Sequence, residues 1–311
     1  MNSTCNPFFG IPLSKLEDFL QDSIYFRDPR ARTRSPSLRH GENRNGEEKL
    51  YVFDKFLMHH DYVIQKSSGE RFVEITNDKN RIHRSGNVIP GAMTVSKIIL
   101  PLEILMPEFE IHNVNIKFTN SSIYDEKTKD VFSFQFISPD CIQINVNTFQ
   151  SQGTIARTII TGKINTDREN ATKVREEDVN ETNLNTVREY LKTLSIEGEA
   201  YIQKENYRDY TYPLSYIATL PSAEIVKQME GDGGMINLLR MDFDDVKMIP
   251  ITDEKGPEIK LERARERERT SFNKIITEVV NGLVTYYRGL AIVNPVAKFR
   301  SPANPVIFPA K

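Results

Sequence analysis

Cysteine and tryptophan are nearly missing from this chain: its 311 residues include no tryptophan and only two cysteines, Cys5 and Cys141. Two cysteines cannot form the disulfide framework on which small secreted domains depend. The first residues also lack the basic segment and apolar run of a secretory signal. We therefore expect a cytoplasmic protein in a reducing compartment.

Long apolar runs are absent too. The most apolar stretch, residues 88–106, is interrupted by prolines, a glycine and charged side chains: Pro90, Gly91, Lys97, Pro101 and Glu103. A membrane-spanning helix needs about 20 consecutive apolar residues, so we expect no membrane span and interpret this stretch as a buried helix. The formal net charge is -2, which gives no bulk attraction to nucleic acid or to an anionic membrane.

Length and composition predict two domains. Hydrophobic residues make up 39% and charged residues 27% of the chain, a normal globular balance, and domains average about 150 residues. Residues 1–48 combine a short helical pattern with a Pro- and Arg-rich stretch, either a solvated linker or a basic arm for an acidic partner. Residues 49–166 form the first domain, the polar residues 167–186 a linker, and residues 187–311 the second domain.

The first domain has the pattern of one enclosed helix wrapped by antiparallel strands. Apolar residues from Met93 to Leu102 follow helical spacing, with apolar neighbours on the other faces as well. Strand-forming sequence and a short buried element precede this helix at residues 51–63 and 72–75. Four strand-like runs follow it, at residues 112–118, 131–137, 141–149 and 154–164. This is the element order of a hot-dog fold.

The second domain repeats that order. Residues 212–229 have a helix-like pattern, and strand-like runs follow at residues 235–243, 246–251, 258–264, 272–280 and 283–293. Asn281-Gly282 predicts a hairpin between the last two runs. We therefore expect an α+β fold, a tandem (double) hot-dog in which each long central helix is wrapped by an antiparallel sheet. The two sheets would pair edge to edge and cover each other's exposed strands.

The residues best suited to chemistry follow the short buried element. Asp78 and His83 lie five positions apart in a polar loop, with Asn80 between them, and Gly91 opens the central helix. An imidazole with a pKa of about 6.5 transfers protons at neutral pH, and a nearby carboxylate can hold the same water or the ring. The N–H of Gly91 can donate to a developing oxyanion, helped by the helix dipole.

This arrangement resembles the MaoC-like family, the hydratase-2 type (R)-specific enoyl-CoA hydratases and acyl dehydratases. The family motif is Asp-x-Asn-Pro-x-His, followed by a glycine-containing turn into the central helix, and here Asp78, Asn80, His83 and the turn at residues 89–93 match it. The resemblance implies that Asp78 and His83 are the catalytic pair that binds water. It also implies that Asn80 supports the loop and that Gly91 is the oxyanion donor.

The motif is not complete. Arg81 stands at the position of the motif proline and places a charge beside the site, where it is a candidate contact for the substrate. Only residues 84–90 separate His83 from Gly91, fewer than the family has. The alternative interpretation of this segment is a plain surface turn, because Asp, Asn and Lys are common turn residues.

Three functions remain open at this point. We expect a hydro-lyase that interconverts a trans-2-enoyl thioester and a 3-hydroxyacyl thioester of coenzyme A or acyl carrier protein, with no metal or redox cofactor. The alternatives are a catalytically silent double hot-dog that binds an acyl thioester or a partner subunit, and a hot-dog thioesterase. The second half contains no histidine, which predicts one active site per chain. In the family's double hot-dogs the inactive half supplies pocket wall. A homodimer is compatible with the sequence.

Two further clusters have both a functional and a structural interpretation. Arg263 and Arg265 belong to an arginine row that shares one strand face, suited either to the phosphates of coenzyme A and an acidic carrier protein or to cross-strand ion pairs. His59-His60-Asp61 could suggest a metal site. Adjacent strand residues point to opposite faces, however, and we favour a structural role.

Overall fold

The computed structural model describes residues 51–54, 57–78, 80, 82–83, 86–106, 109–137, 141–164, 174–203, 210–228, 234–243, 249–252, 256–263, 273–281 and 284–295. The predicted N-terminal segment, residues 1–48, lies outside this part of the chain. So do two of the candidate substrate contacts, Arg81 and Arg265.

Strands form one large antiparallel sheet. The ten strands in the described ranges are β1 (Tyr51–Asp54), β2 (Leu57–Val63), β3 (Phe109–Phe118), β4 (Lys127–Phe136), β5 (Cys141–Gln150), β6 (Gly153–Ile164), β7 (Gly234–Phe243), β8 (Glu258–Arg263), β9 (Asn273–Asn281) and β10 (Val284–Pro295). Their order across the sheet is β1-β2-β4-β5-β6-β3-β7-β10-β9-β8. The predicted α+β class is confirmed.

Six α-helices accompany this sheet in the described ranges. They are α1 (Lys66–Ile75), α2 (Gly91–Leu105), α3 (Glu181–Thr193), α4 (Ile196–Gln203), α5 (Leu214–Ile217) and α6 (Leu220–Gln228). Among the described residues, no helix is long and apolar enough to cross a membrane.

Helix α2 is the enclosed helix that the apolar spacing predicted. It has 15 residues, and all of them except Gly91 and Glu103 are buried. Strand β5 shows the complementary pattern, since its alternate side chains are buried against the core. The helix therefore has protein on every side, as its composition required.

The two halves of the sheet join at β3 and β7. These strands pair antiparallel through five residue pairs, from Asn113 with Asp242 to Lys117 with Leu238. A side-chain hydrogen bond of 2.5 Å from Nδ2 of Asn113 to Oδ1 of Asp242 adds to the joint. The sheet is therefore continuous from the strands before residue 165 to the strands after residue 233.

The second half differs from the prediction in its helix. Residues 212–229 do not form one long helix: α5 ends at Ile217 and α6 begins at Leu220. Pro221 has no N–H to donate to the carbonyl of Ile217, and the hydroxyl of Thr219 donates to the carbonyl of Tyr216 at 2.7 Å. Both features favour a break at this point.

Other boundaries also differ. Helix α3 begins at Glu181, inside the stretch interpreted as a linker. The strand-like run at residues 246–251 is described only from residue 249, where Pro250 makes an isolated bridge with Thr211. The last two predicted strands are confirmed as β9 and β10, paired antiparallel beside the predicted hairpin.

Candidate active site

The loop after α1 turns Asp78 into the protein. Asn77 has a positive φ of 53°, a conformation that asparagine tolerates better than most residues. The amide of Asn77 donates to the carbonyl of Glu74 at 3.2 Å, and the amide of Asp78 donates to the carbonyl of Val73 at 3.0 Å. These two bonds end the helix in a Schellman-type turn. The chain reverses there, and the side chain of Asp78 is only 1% exposed.

Both carboxylate oxygens of Asp78 have neighbours. Oδ1 accepts a hydrogen bond of 3.0 Å from the amide of Asn80. Oδ2 accepts one of 3.2 Å from the hydroxyl of Ser222, and it lies 4.0 Å from Nε2 of His83. A separation of 4.0 Å is too long for a direct hydrogen bond and suits a shared water.

Asn80 holds the short turn between the two candidate catalytic residues. It is 2% exposed, and its Oδ1 accepts from the amide of Ile82 at 3.2 Å. Its backbone carbonyl accepts from the amide of His83 at 3.1 Å. These contacts bring the imidazole back towards Asp78.

The ring of His83 has a defined tautomer in its neutral form. Nδ1 lies 3.1 Å from the carbonyl oxygen of Val88, which can only accept, so Nδ1 carries the proton. Nε2, the nitrogen nearer Asp78, then has a free lone pair. Burial lowers the pKa of His83 below its ordinary value, and the opposing effect of the Asp78 carboxylate is smaller. The neutral ring can therefore act as a base at neutral pH.

Gly91 presents an amide at the start of α2. The amides of Met93 and Thr94 both donate to the carbonyl of Pro90, at 3.0 and 3.2 Å. The amide of Gly91 has no carbonyl one turn earlier in the helix, and within the described ranges it has no other acceptor. A Cβ at Gly91 would lie 3.3 Å from Cζ of Phe118, which is a tight contact. Glycine therefore leaves the space between the start of α2 and Phe118 open.

A cavity lies between the halves of the chain at this point. The first half lines it with residues that include Asn80, His83, Gly91, Thr94, Phe118 and Ile155. The second half contributes mainly apolar residues of α6 and β7: Ser222, Ile225, Val226, Met235 and Ile236. Asp78 lies just behind this wall, in contact with Ser222 and near His83. The cavity thus combines a base, an unused amide and an apolar wall.

The structure brings together Asp78, Asn80, His83 and Gly91, the four residues that the motif selected. Arg263 is the last residue of β8, which is the strand at one edge of the sheet. Ser222 was not predicted, because it lies 144 residues from Asp78 and in no recognisable motif.

His60 belongs to a different group of residues. Its Nε2 lies 2.7 Å from Oε1 of Glu197, and its Nδ1 lies 3.8 Å from Oδ2 of Asp130. His60 and Asp130 are fully buried. This cluster packs beside α2 and is not part of the cavity, which supports a structural role for His60.

Comparison with known proteins gives a fold. No protein-family model and no curated protein matches the sequence. A MaoC-like dehydratase is similar in structure with a TM-score of 0.53 and 7% identity, over 78% of this chain and 97% of that one. The full-length peroxisomal multifunctional enzyme type 2 from Drosophila melanogaster is similar with a TM-score of 0.51 and 8% identity, over 76% of this chain and 48% of that one.

An acyl-ACP thioesterase from Bacteroides thetaiotaomicron is also similar, but its TM-score of 0.45 is too low to support an argument. At these identities the comparisons show the fold alone. The chain has the hot-dog fold of the MaoC-like proteins.

Proposed function

We propose that this chain is an acyl-thioester hydratase or dehydratase with its active site at Asp78 and His83. The observation that carries the proposal is the 4.0 Å separation of Nε2 of His83 from Oδ2 of Asp78, beside the unused amide of Gly91. A water between these two atoms donates one hydrogen to each and keeps a lone pair for attack.

The chemistry follows from that position. The water oxygen forms a bond to C3 of a trans-2-enoyl thioester while Nε2 of His83 takes a proton from it. The electron pair of the double bond moves onto the thioester oxygen, which accepts from the amide of Gly91 at the positive end of α2. A proton then returns from the Asp78–His83 pair to C2, which completes the 3-hydroxyacyl product. Dehydration is the same path reversed.

The two halves have unequal roles in this proposal. The joint between β3 and β7 supports an interpretation of the chain as a double hot-dog, with domains at residues 49–166 and 187–311. The second half has no histidine and cannot supply a second copy of the pair. It contributes α6 and β7 to the cavity wall, where Ile225 and Ile236 would contact an acyl group.

The carrier of the acyl group is coenzyme A or acyl carrier protein in this proposal. Arg81, Arg263 and Arg265 are candidates for contacts with its phosphates, because guanidinium groups bind phosphate through paired N–H donors. The carriers can be compared directly by assaying the same acyl group on each.

The proposal is tested with a short trans-2-enoyl-CoA, following the loss of the conjugated-enoyl absorbance. Asp78→Asn and His83→Ala should each lower kcat about 100-fold or more, the usual effect of removing a proton-transfer group. Control variants are Asp125→Asn, at an exposed aspartate in the turn before β4, and His112→Ala on β3; neither residue lines the cavity.

Each contrary outcome points to one alternative. Free thiol without hydration would assign a thioesterase, and tight binding without turnover would assign the silent acyl-binding protein. Turnover that survives both substitutions would remove Asp78 and His83 from the mechanism.

A further inference from the structure

Ser222 makes a contact that the motif does not explain. Its hydroxyl donates to Oδ2 of Asp78 at 3.2 Å, and this is the oxygen that faces His83. The other oxygen, Oδ1, is held by the amide of Asn80 within the same loop. The orientation of the carboxylate is thus fixed by one donor from its own loop and one from the other half of the chain.

The position of Ser222 is itself well defined. It lies in the first turn of α6, where its amide donates to the carbonyl of Thr219 at 3.0 Å. Pro221 restricts the backbone just before it. The break between α5 and α6 therefore has a consequence at the site, because it places the start of α6 against Asp78.

Ser222 also lines the cavity, so its hydroxyl stands where the substrate cavity meets the buried carboxylate. An ionised carboxylate oxygen can accept more than one hydrogen bond. A donor at Oδ2 stops the carboxylate from rotating, and this leaves the remaining acceptor direction of Oδ2 for the water shared with His83.

We infer that Ser222 is a positioning residue: it is supplied by the second half of the chain and orients Asp78 for the reaction in the first half. The inference rests on the proposed hydratase function. It also gives the second half a role in the chemical step, in addition to forming the wall.

The first test is a set of substitutions in the full chain, assayed with the same short trans-2-enoyl-CoA. Ser222→Ala should lower kcat about 10- to 100-fold, the range for a hydrogen bond to a charged group, and leave KM within about threefold. Ser222→Thr keeps the hydroxyl and should recover most of the loss. Ser133→Ala, at a half-buried serine of β4 that does not line the cavity, is the matched control and should keep full activity.

The second test separates positioning from a general structural effect. In an Asp78→Asn background, measured under single-turnover conditions with excess enzyme, Ser222→Ala should change the rate by less than about twofold, because residues that act as a unit are not additive. Equal losses in both backgrounds would overturn the inference. So would a threonine variant no better than alanine, or a rise in kcat for Ser222→Ala, which would mean that the hydroxyl competes with water.

Failure of the inference and failure of the proposed function are distinguishable. If the unsubstituted chain hydrates the substrate and needs Asp78, but Ser222→Ala matches Ser133→Ala, only the inference fails. If the unsubstituted chain gives no hydration, both fail.

Discussion

Lys97 and Glu197 form an ion pair inside the protein: Nζ of Lys97 lies 2.9 Å from Oε2 of Glu197, and neither side chain is more than 3% exposed. The pair joins α2 of the first half to α4 of the second. Nζ also donates to the carbonyl of Leu194 at 2.8 Å, while Oε1 of Glu197 is taken by His60. Burial raises the pKa of Glu197, but Lys97 and His60 outweigh it and bring the value to about 2.

Removal of Lys97 should destabilise the protein strongly. Lys97→Met leaves the carboxylate of Glu197 buried without its ammonium partner, and we expect a loss of about 3–5 kcal/mol in the free energy of unfolding. Urea denaturation measures it. The double variant Lys97→Met/Glu197→Gln removes the uncompensated charge and should regain at least half of that loss. A single variant within about 1 kcal/mol of wild type would contradict this account of the pair.

The stability of the protein should depend on pH through Asp130. Burial raises the pKa of this carboxyl from 3.8 to about 6, although His60 opposes the shift. A raised carboxyl pKa means that the folded state holds the proton more tightly than the unfolded state. The contribution of Asp130 to the free energy of unfolding is therefore greatest below pH 3.8. It is lost as the pH rises through about 6, and the loss is roughly 3 kcal/mol at most.

The measurement is the difference between wild type and Asp130→Asn in urea denaturation from pH 5 to 7.5. Burial lowers the pKa of His83, so His83 acts in the opposite direction in the same range, and wild type alone is not informative. The variant should gain stability relative to wild type as the pH rises. A difference that stays constant across this range would show that Asp130 does not titrate there.

Activity should persist in mildly acidic solution. The base form of His83 is needed for attack, and burial lowers its pKa below the ordinary value of 6.5. The acidic limb of kcat/KM should therefore have its midpoint below pH 6.5, which a pH–rate profile of the free enzyme reports. A midpoint above that value would indicate a charged His83 in the resting enzyme.

Gly69→Ala should destabilise the protein, although alanine normally stabilises a helix relative to glycine by about 1 kcal/mol. A Cβ at this position in α1 would lie 2.1 Å from Cε1 of Tyr124. We expect a net loss of about 1–3 kcal/mol from overpacking, measured by thermal or urea unfolding. In a Tyr124→Val background the ring is gone, and the same substitution should become stabilising. The same sign in both backgrounds would rule out the steric explanation.

The sequence predicted the elements whose burial pattern is simple. The spacing from Met93 to Leu102 predicted α2 because an enclosed helix is apolar on all faces. Strands β3 to β6 were predicted because each alternates buried and exposed side chains or forms a short apolar run between turns. Asn281-Gly282 predicted a hairpin here, and the strands on either side of it, β9 and β10, pair antiparallel.

The covering helices were harder to predict. Helix α3 buries Leu184, Val187 and Leu191 on one face, but polar residues fill the rest of it and give the segment the composition of a linker. The break before α6 depends on Thr219 and Pro221, whose effect on a helix cannot be separated from ordinary surface positions by periodicity alone.

The residues of the candidate site also fall into two groups, those that the sequence predicted and those that it did not. Asp78, Asn80, His83 and Gly91 lie within fourteen positions of one another, so a local motif contains them. Ser222 and the apolar wall of α6 and β7 reach the site only through the tertiary fold. A local sequence pattern does not predict which distant helix will pack against a given loop.

The pairing of β3 with β7 makes neither half self-sufficient. A chain cut in the region between β6 and α3 would produce two pieces, each with a bare row of backbone donors and acceptors where its neighbour belongs. Expressed alone, either piece would pair its exposed strand edge with extended segments of other chains and aggregate. If both pieces were present, they would pair through those same five residue pairs and rebuild the cavity. Activity would therefore be found when the two pieces are combined and with neither piece alone.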